Sequence, residues 1–178
     1  MPLPGHELRP TSERAREAYF DIVSSQIGGA DFLDLFSGSG IFSFEAISRG
    51  ARSAVAIDQS KRSMTRVESI SREWELPIHT IAADAVQGLR RIPPELTFDL
   101  VFADPPYSYP RYQELLGAVD TRIALSSGAT AVIEHGSDRV PFDPSGLQRL
   151  TLRKTVRYGS VAMTILDRID RPDDELPE

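Results

Sequence analysis

Between Phe98 and Pro110 the sequence reads FDLVFADPPYSYP, and no other stretch leaves the chain so few choices. Asp99 to Ala103 is a short apolar run suited to a buried strand. Asp104-Pro105-Pro106-Tyr107 stops it, because two prolines can neither donate to a strand ladder nor continue into a helix. A strand that ends so abruptly delivers its next residues to the edge of a sheet. There an acidic side chain, backbone carbonyls and a flat ring share one small space with no mobile loop between them, which suits a planar substrate carrying an NH2 group. Asp104, Pro105, Pro106 and Tyr107 are therefore the candidate catalytic residues.

The surrounding pattern says which sheet. From residue 31 the chain repeats strand, glycine turn and helix, the mark of a parallel sheet covered by helices. The strands fall at Phe32 to Phe36, Ser53 to Ile57, Ile78 to Ala82, Asp99 to Ala103 and Thr130 to Glu134, with helical patterns at about 40–49, 60–73, 84–91 and 110–120. Beyond Gly136, Leu147 to Arg157 and Gly159 to Asp167 alternate without an intervening helix, so an antiparallel hairpin turning at Tyr158-Gly159 should close the sheet. A further helix is expected after Arg9-Pro10, capped by Thr11 or Ser12, with Ala15, Ala18, Tyr19 and Ile22 inward and Arg14, Arg16 and Glu17 outward. Trp74 and Phe44 lie within helical patterns and are expected in the core. The fold class is thus α/β: one Rossmann-like domain over 9–167 with a mostly parallel seven-stranded sheet and helices on both faces. An irregular arm (1–8) precedes it and an acidic, disordered tail (168–178) comes after it.

Composition removes several alternatives. The 178 residues include no cysteine and three histidines, which excludes disulfides, thiolate zinc and a thiol nucleophile and argues against any metal site. The opening MPLPGHELRP has neither a basic n-region nor an apolar core, so no signal peptide or membrane span is expected, and a cytoplasmic monomer is. Net charge is −6, but Asp167 to Glu178 holds six acids and two arginines and so supplies −4, leaving −2 for the body. A nucleic-acid partner therefore stays open.

The first glycine loop narrows the ligand. Phe36-Ser37-Gly38-Ser39-Gly40 comes after a strand and precedes a helix, a geometry that brings backbone N–H groups to a ligand. The third glycine of the dinucleotide fingerprint is replaced by Ser43. Asp58, at the end of the second strand with Gln59 beside it, can accept the hydroxyls of a ribose, or else serve as a turn residue. Asp34, a carboxylate inside the motif, would repel a pyrophosphate and attract a sulfonium, favouring S-adenosylmethionine over NAD. Asp84, before Ala85, can reach an adenine amino group or simply cap a helix. His135 reads as a strand-end residue rather than a base.

FLDLFSGSG, AIDQS, AADA and FADPPY, in this order, resemble class I S-adenosylmethionine-dependent methyltransferases that methylate amino groups. With the RPTSERAREAYF opening, the VIEHG strand and the RKTVRYGSVAMTIL hairpin, the chain is similar to the RsmD family, which methylates the exocyclic N2 of a guanine in small-subunit ribosomal RNA. The resemblance spans Arg9 to about Leu166. It implies S-adenosylmethionine as cofactor without a metal, held by Asp34, Phe36, Ser37, Gly38, Ser39, Gly40, Asp58, Gln59, Asp84, Ala85 and Asp104. It implies ribosomal RNA or the assembling small subunit as partner. Asp104 and the Pro105 carbonyl would then accept hydrogen bonds from the amine, with Tyr107 stacked on the base. Arg9, Thr11, Arg14, Tyr109, Arg111 and Arg139 would form the substrate rim. The sequence departs from the family in having only MPLPGHEL before RPT, where a basic arm is usual, and FSGSG in place of FAGSG. Two other readings remain at this point: an amino-methyltransferase of DNA or another RNA, and a non-catalytic nucleotide-binding module.

Overall fold

A computed structural model describes residues 10–138 and 140–169. The arm at 1–8, Arg9, Arg139 and the chain beyond 169 lie outside the described residues, as does the side chain of Thr11. Seven strands form one sheet in the order β3-β2-β1-β4-β5-β7-β6. The strands are β1 (Asp31–Leu35), β2 (Ser53–Asp58), β3 (Ile78–Ala82), β4 (Thr97–Ala103), β5 (Ala124–Gly136), β6 (Leu150–Tyr158) and β7 (Val161–Arg168). The first five are parallel, and β7 pairs antiparallel with both β5 and β6.

The helices are α1 (Pro10–Ile22), α2 (Ile41–Ser48), α3 (Lys61–Glu73), α4 (Ala85–Leu89) and α5 (Tyr112–Arg122). They cover both faces. α1, α2 and α3 pack Tyr19, Phe20, Ala46, Met64 and Val67 onto Phe32, Leu100 and Phe102, while α4 and α5 pack Val86, Leu89, Leu115 and Leu116 onto Leu33, Leu35 and Val101. Strands buried on both faces need side chains of both parities to be apolar, which is why β1 and β4 read as runs rather than as alternation. Each large side chain so buried contributes about 1.5–3 kcal/mol.

Local chemistry sets the helix starts. Ser60 Oγ accepts the Ser63 N–H at 3.2 Å to cap α3, and Asp84 Oδ1 accepts the Gln87 N–H at 3.4 Å at the start of α4.

Four expectations are corrected. β5 runs through 13 residues, starting well before Thr130, because a register shift between Phe98 and Leu100 lets its first residues pair with β4 as well. The hairpin turns at Gly159-Ser160, since Tyr158 pairs with Val161 and Gly159 takes the left-handed φ of 63° that the turn requires. Arg168 belongs to β7 and not to a tail: its guanidinium donates to the Leu125 carbonyl, and Asp167 accepts from Arg153 and Thr130. Trp74 is exposed, at 65%. It continues the spacing of Met64, Val67 and Ser71, but the helix stops there and Glu75, at φ 53°, turns the chain away before the indole can reach the core. Phe44 packs against the cluster under α1 and α2, as expected.

Candidate functional site

The five parallel strands end, and the antiparallel β7 begins, on one edge of the sheet. Around that edge lies a cavity of about 510 Å³ lined by Phe36, Asp58, Gln59, Asp104, Pro105, Pro106, Tyr107, Glu134, Ser160 and Val161. The strand order reverses between β1 and β4, so the cavity sits at the switch point where open α/β sheets take their ligands. It unites the Phe36, Asp58 and Gln59 group expected for a nucleoside with the whole Asp104 to Tyr107 segment. Among the described residues its wall has three carboxyls and no lysine or arginine.

Register explains how the acidic groups meet. Ala103 pairs with Ile133 across β4 and β5, so Asp104 and Glu134 are the next residues on neighbouring strands and stand side by side. The Asp104 N–H reaches the Leu35 carbonyl at 3.4 Å, tying the DPPY segment to β1. Tyr107 lies at the mouth, 63% exposed. Glu134 is a cavity-lining carboxyl that sequence reasoning passed over. Its only signal was its position next to the end of an apolar strand, VIEHG, one strand away from DPPY.

The glycine loop is built from below by Asp34. This carboxyl is buried, does not line the cavity, and on Oδ2 accepts the Ser37 hydroxyl at 2.7 Å, the Ser43 hydroxyl at 2.6 Å and the Ser43 N–H at 3.2 Å. Ser43, where the dinucleotide fingerprint has glycine, is therefore a partner of Asp34. Gly40 is needed on two counts: its φ is 79°, and a Cβ there would stand 2.8 Å from Val67 Cγ2. Gly38 has φ 54°, and a Cβ there would meet only the Phe36 carbonyl oxygen, at 4.0 Å. Asp58 takes the Gly38 N–H on Oδ2 at 2.9 Å and the Ser60 N–H on Oδ1 at 2.8 Å. Each oxygen keeps a second lone pair for a ligand hydroxyl. Phe36 holds a left-handed φ of 62°, an uncommon conformation for a bulky side chain and a mark of a constrained site.

Other candidates are placed elsewhere. Asp84 caps α4 and forms an ion pair with Arg111; neither residue lines the cavity, and Ala85 is in the core. Tyr109 packs edge-on against Phe36 with centroids 5.0 Å apart, and Arg111 lies 5.7 Å from the Tyr109 ring centre. Ser39 is exposed beside the loop. Arg14 lines a second groove with Glu17, Asp21, Lys154 and Tyr158, between α1 and β6. His135 is buried, with Nδ1 at 2.8 Å from the Gly136 carbonyl and Nε2 at 2.9 Å from the Thr164 hydroxyl, which gives it the structural place expected. Among the described residues no cluster of metal-ligating side chains occurs.

Three carboxyls of this region hold their protons unusually well. Burial pushes Asp34 up to about 6, and burial pushes Asp104 up to about 6 although its surface opens onto the cavity. Burial, then the neighbouring Asp104 charge, push Glu134 up to about 8. Asp104 and Glu134 titrate as a pair, so ionising one resists ionising the other. A raised carboxyl value means that the folded chain binds the proton more tightly than the unfolded one, so the ligand-free protein is expected to lose stability as pH rises from about 4 to 8. Glu134→Gln should stabilise the free protein at pH 8.5 by about 1–2 kcal/mol and should do nothing at pH 4, where Glu134 is already protonated. Urea unfolding at the two pH values measures this, and equal effects at both would contradict it.

Comparison with known proteins is consistent with this geometry. The family model described as conserved hypothetical protein 95 matches residues 1–167. YlbH of Bacillus subtilis is 30% identical over 164 residues, covering 90% of this chain and 88% of YlbH. Ribosomal RNA small subunit methyltransferase D of Escherichia coli is 27% identical over 164 residues, covering 89% of this chain and 81% of the relative. Among solved structures, Escherichia coli yhhF superposes with a TM-score of 0.79 at 25% identity, over 96% of this chain and 92% of that one.

Proposed function

We propose that this chain, which belongs to the conserved hypothetical protein 95 family, also called the RsmD family, transfers a methyl group from S-adenosylmethionine to the exocyclic N2 of a guanine in small-subunit ribosomal RNA. The observation that carries the reading is the cavity wall. It brings Asp58, which would accept a ribose, and Asp104, which would accept an amine, into one space that has three carboxyls and, among the described residues, no basic side chain, which suits a cationic sulfonium and opposes a pyrophosphate. The relative named as a small-subunit ribosomal RNA methyltransferase supports the substrate class. The protein acts as a monomer in the cytoplasm, without a metal.

Phe36, Asp58, Gln59 and the loop from Ser37 to Gly40 would hold the cofactor. S-adenosylmethionine supplies an electrophilic methyl group carried on a positively charged sulfur. The chain acts on the acceptor. A guanine amine is a poor nucleophile because its lone pair is delocalised into the ring. Asp104 and the Pro105 carbonyl accept its N–H groups, which turns the lone pair out of conjugation and free to attack. Tyr107 stacks on a base turned out of its RNA fold. The rigid strand ends hold both partners in place, so little ordering remains at the moment of reaction. After transfer the nitrogen carries one proton too many, which passes to Asp104 or to water.

The test uses labelled S-adenosylmethionine with unmodified small-subunit RNA transcripts and with small ribosomal subunits, followed by nuclease digestion and mass spectrometry. N2-methylguanosine at one position is expected, and label confined to adenine, cytosine or protein would refute the assignment. Asp58→Ala should weaken cofactor binding by about 1–3 kcal/mol in calorimetry, and an unchanged Kd would remove Asp58 from the ribose site.

A further inference from the structure

Two carboxyls face the acceptor end of the cavity, and the proposed chemistry uses one. Glu134 is 7% exposed, lines the same wall as Asp104, and its carboxyl accepts no hydrogen bond from any described residue; no described residue donates to the Asp104 carboxyl either. Glu134 is buried and the Asp104 carboxyl beside it opens onto the same cavity; a carboxyl so placed takes its hydrogen bonds from whatever occupies that space, so the pair calls for donors from a ligand. Among the described residues the titratable groups around Glu134 are Asp104 from the end of β4, Asp58 from the end of β2 and Tyr107 in the wall, with Tyr112 approaching from α5.

The edges of the bases answer this demand differently. Guanine presents N1–H directly beside its 2-amino group, three N–H bonds in a row and no acceptor among them. Adenine and cytosine present a ring lone pair beside their amino groups. Two adjacent carboxylates match the first edge and repel the second. We propose that Glu134 is the specificity-determining residue of the acceptor pocket: its carboxylate accepts the N1–H of the guanine whose 2-amino group Asp104 holds. This rests on the guanine reading above and gives that reading its structural reason.

The protonation of the empty pocket fits the same account. Burial, and then the Asp104 charge beside it, hold the proton on Glu134 there. A sulfonium in the same cavity and three N–H donors from guanine both favour the charged form, so binding drives the proton off. A Glu134 that stayed protonated would instead donate to a ring acceptor and favour adenine or cytosine. Base identity therefore reports its state.

The experiment compares two RNAs. The guanine methylated by the wild type in an unmodified small-subunit transcript is mapped, and the transcript is rebuilt by ligation with 2-aminopurine at that position. 2-Aminopurine keeps the 2-amino group but offers N1 as an acceptor. Wild type is expected to prefer guanine by tenfold or more in kcat/KM. Glu134→Gln, whose amide can either accept or donate, is expected to lower kcat/KM on guanine tenfold or more and bring the ratio between the two RNAs within threefold, with S-adenosylmethionine Kd within threefold of wild type. Guanine transfer with the wild-type ratio retained in Glu134→Gln, or equal use of both RNAs by the wild type, would overturn this inference alone. Transfer by the wild type only to adenine or cytosine would overturn the guanine reading and this inference with it.

Discussion

Replacing Asp104 by alanine is expected to cut methyl transfer at least about a thousandfold while leaving the Kd for S-adenosylmethionine within about tenfold. The asymmetry comes from its position. Asp104 stands at the end of β4 beside Glu134, on the wall shared with Pro105 and Tyr107, and no described residue donates to its carboxyl. Its acceptor capacity is thus spent on the molecule that enters the cavity. On the proposed reaction, removing it would leave the guanine amine conjugated with its ring, a loss that would fall on the transition state more than on bound cofactor. Asp104→Asn keeps one acceptor oxygen but turns the second group into a donor aimed at an amine. It should lie between wild type and alanine, about 10- to 100-fold down. Single-turnover assays with labelled cofactor, set beside calorimetry, separate the two quantities. Cofactor binding lost in step with transfer would place Asp104 in the cofactor site.

Much of this architecture was legible because the apolar runs and their stops are local events. FDLVFADPPY names its own strand and its own end, and the five parallel strands emerged from periodicity and glycine turns. The parts that were not legible depend on register. Nothing near Glu134 in the sequence ties it to Asp104; the pairing of Ala103 with Ile133 does. Arg111 was expected to face RNA, but an acidic partner 27 positions away in the chain, Asp84, holds it in an ion pair. Trp74 satisfies the helical spacing of a buried residue and fails because α3 ends under it, a boundary that spacing cannot locate. Ser160 and Val161 reach the cavity only because β7 runs backwards, which brings its start to the edge where the parallel strands finish.

Asp34 offers the sharpest contrast between the two kinds of reading, and its variants carry the second large effect. As a charge in the glycine motif it would draw a sulfonium from a distance. The structure gives it other work: it is 1% exposed and accepts from Ser37 and Ser43, pinning the loop to the first turns of α2. Asp34→Ala leaves two hydroxyls and one N–H buried without an acceptor. The expected loss is about 3 kcal/mol of stability, with cofactor affinity down about 100-fold as the loop loses its support. Ser43→Ala separates the explanations. It changes no charge and touches no part of the cavity wall, so attraction at a distance predicts unaltered cofactor binding. The pinned loop predicts binding weakened about tenfold and stability lowered by about 1–2 kcal/mol, because a buried carboxylate loses a donor. Calorimetry and urea unfolding of the two variants supply the comparison. Full affinity in Ser43→Ala beside a large loss in Asp34→Ala would restore the electrostatic account.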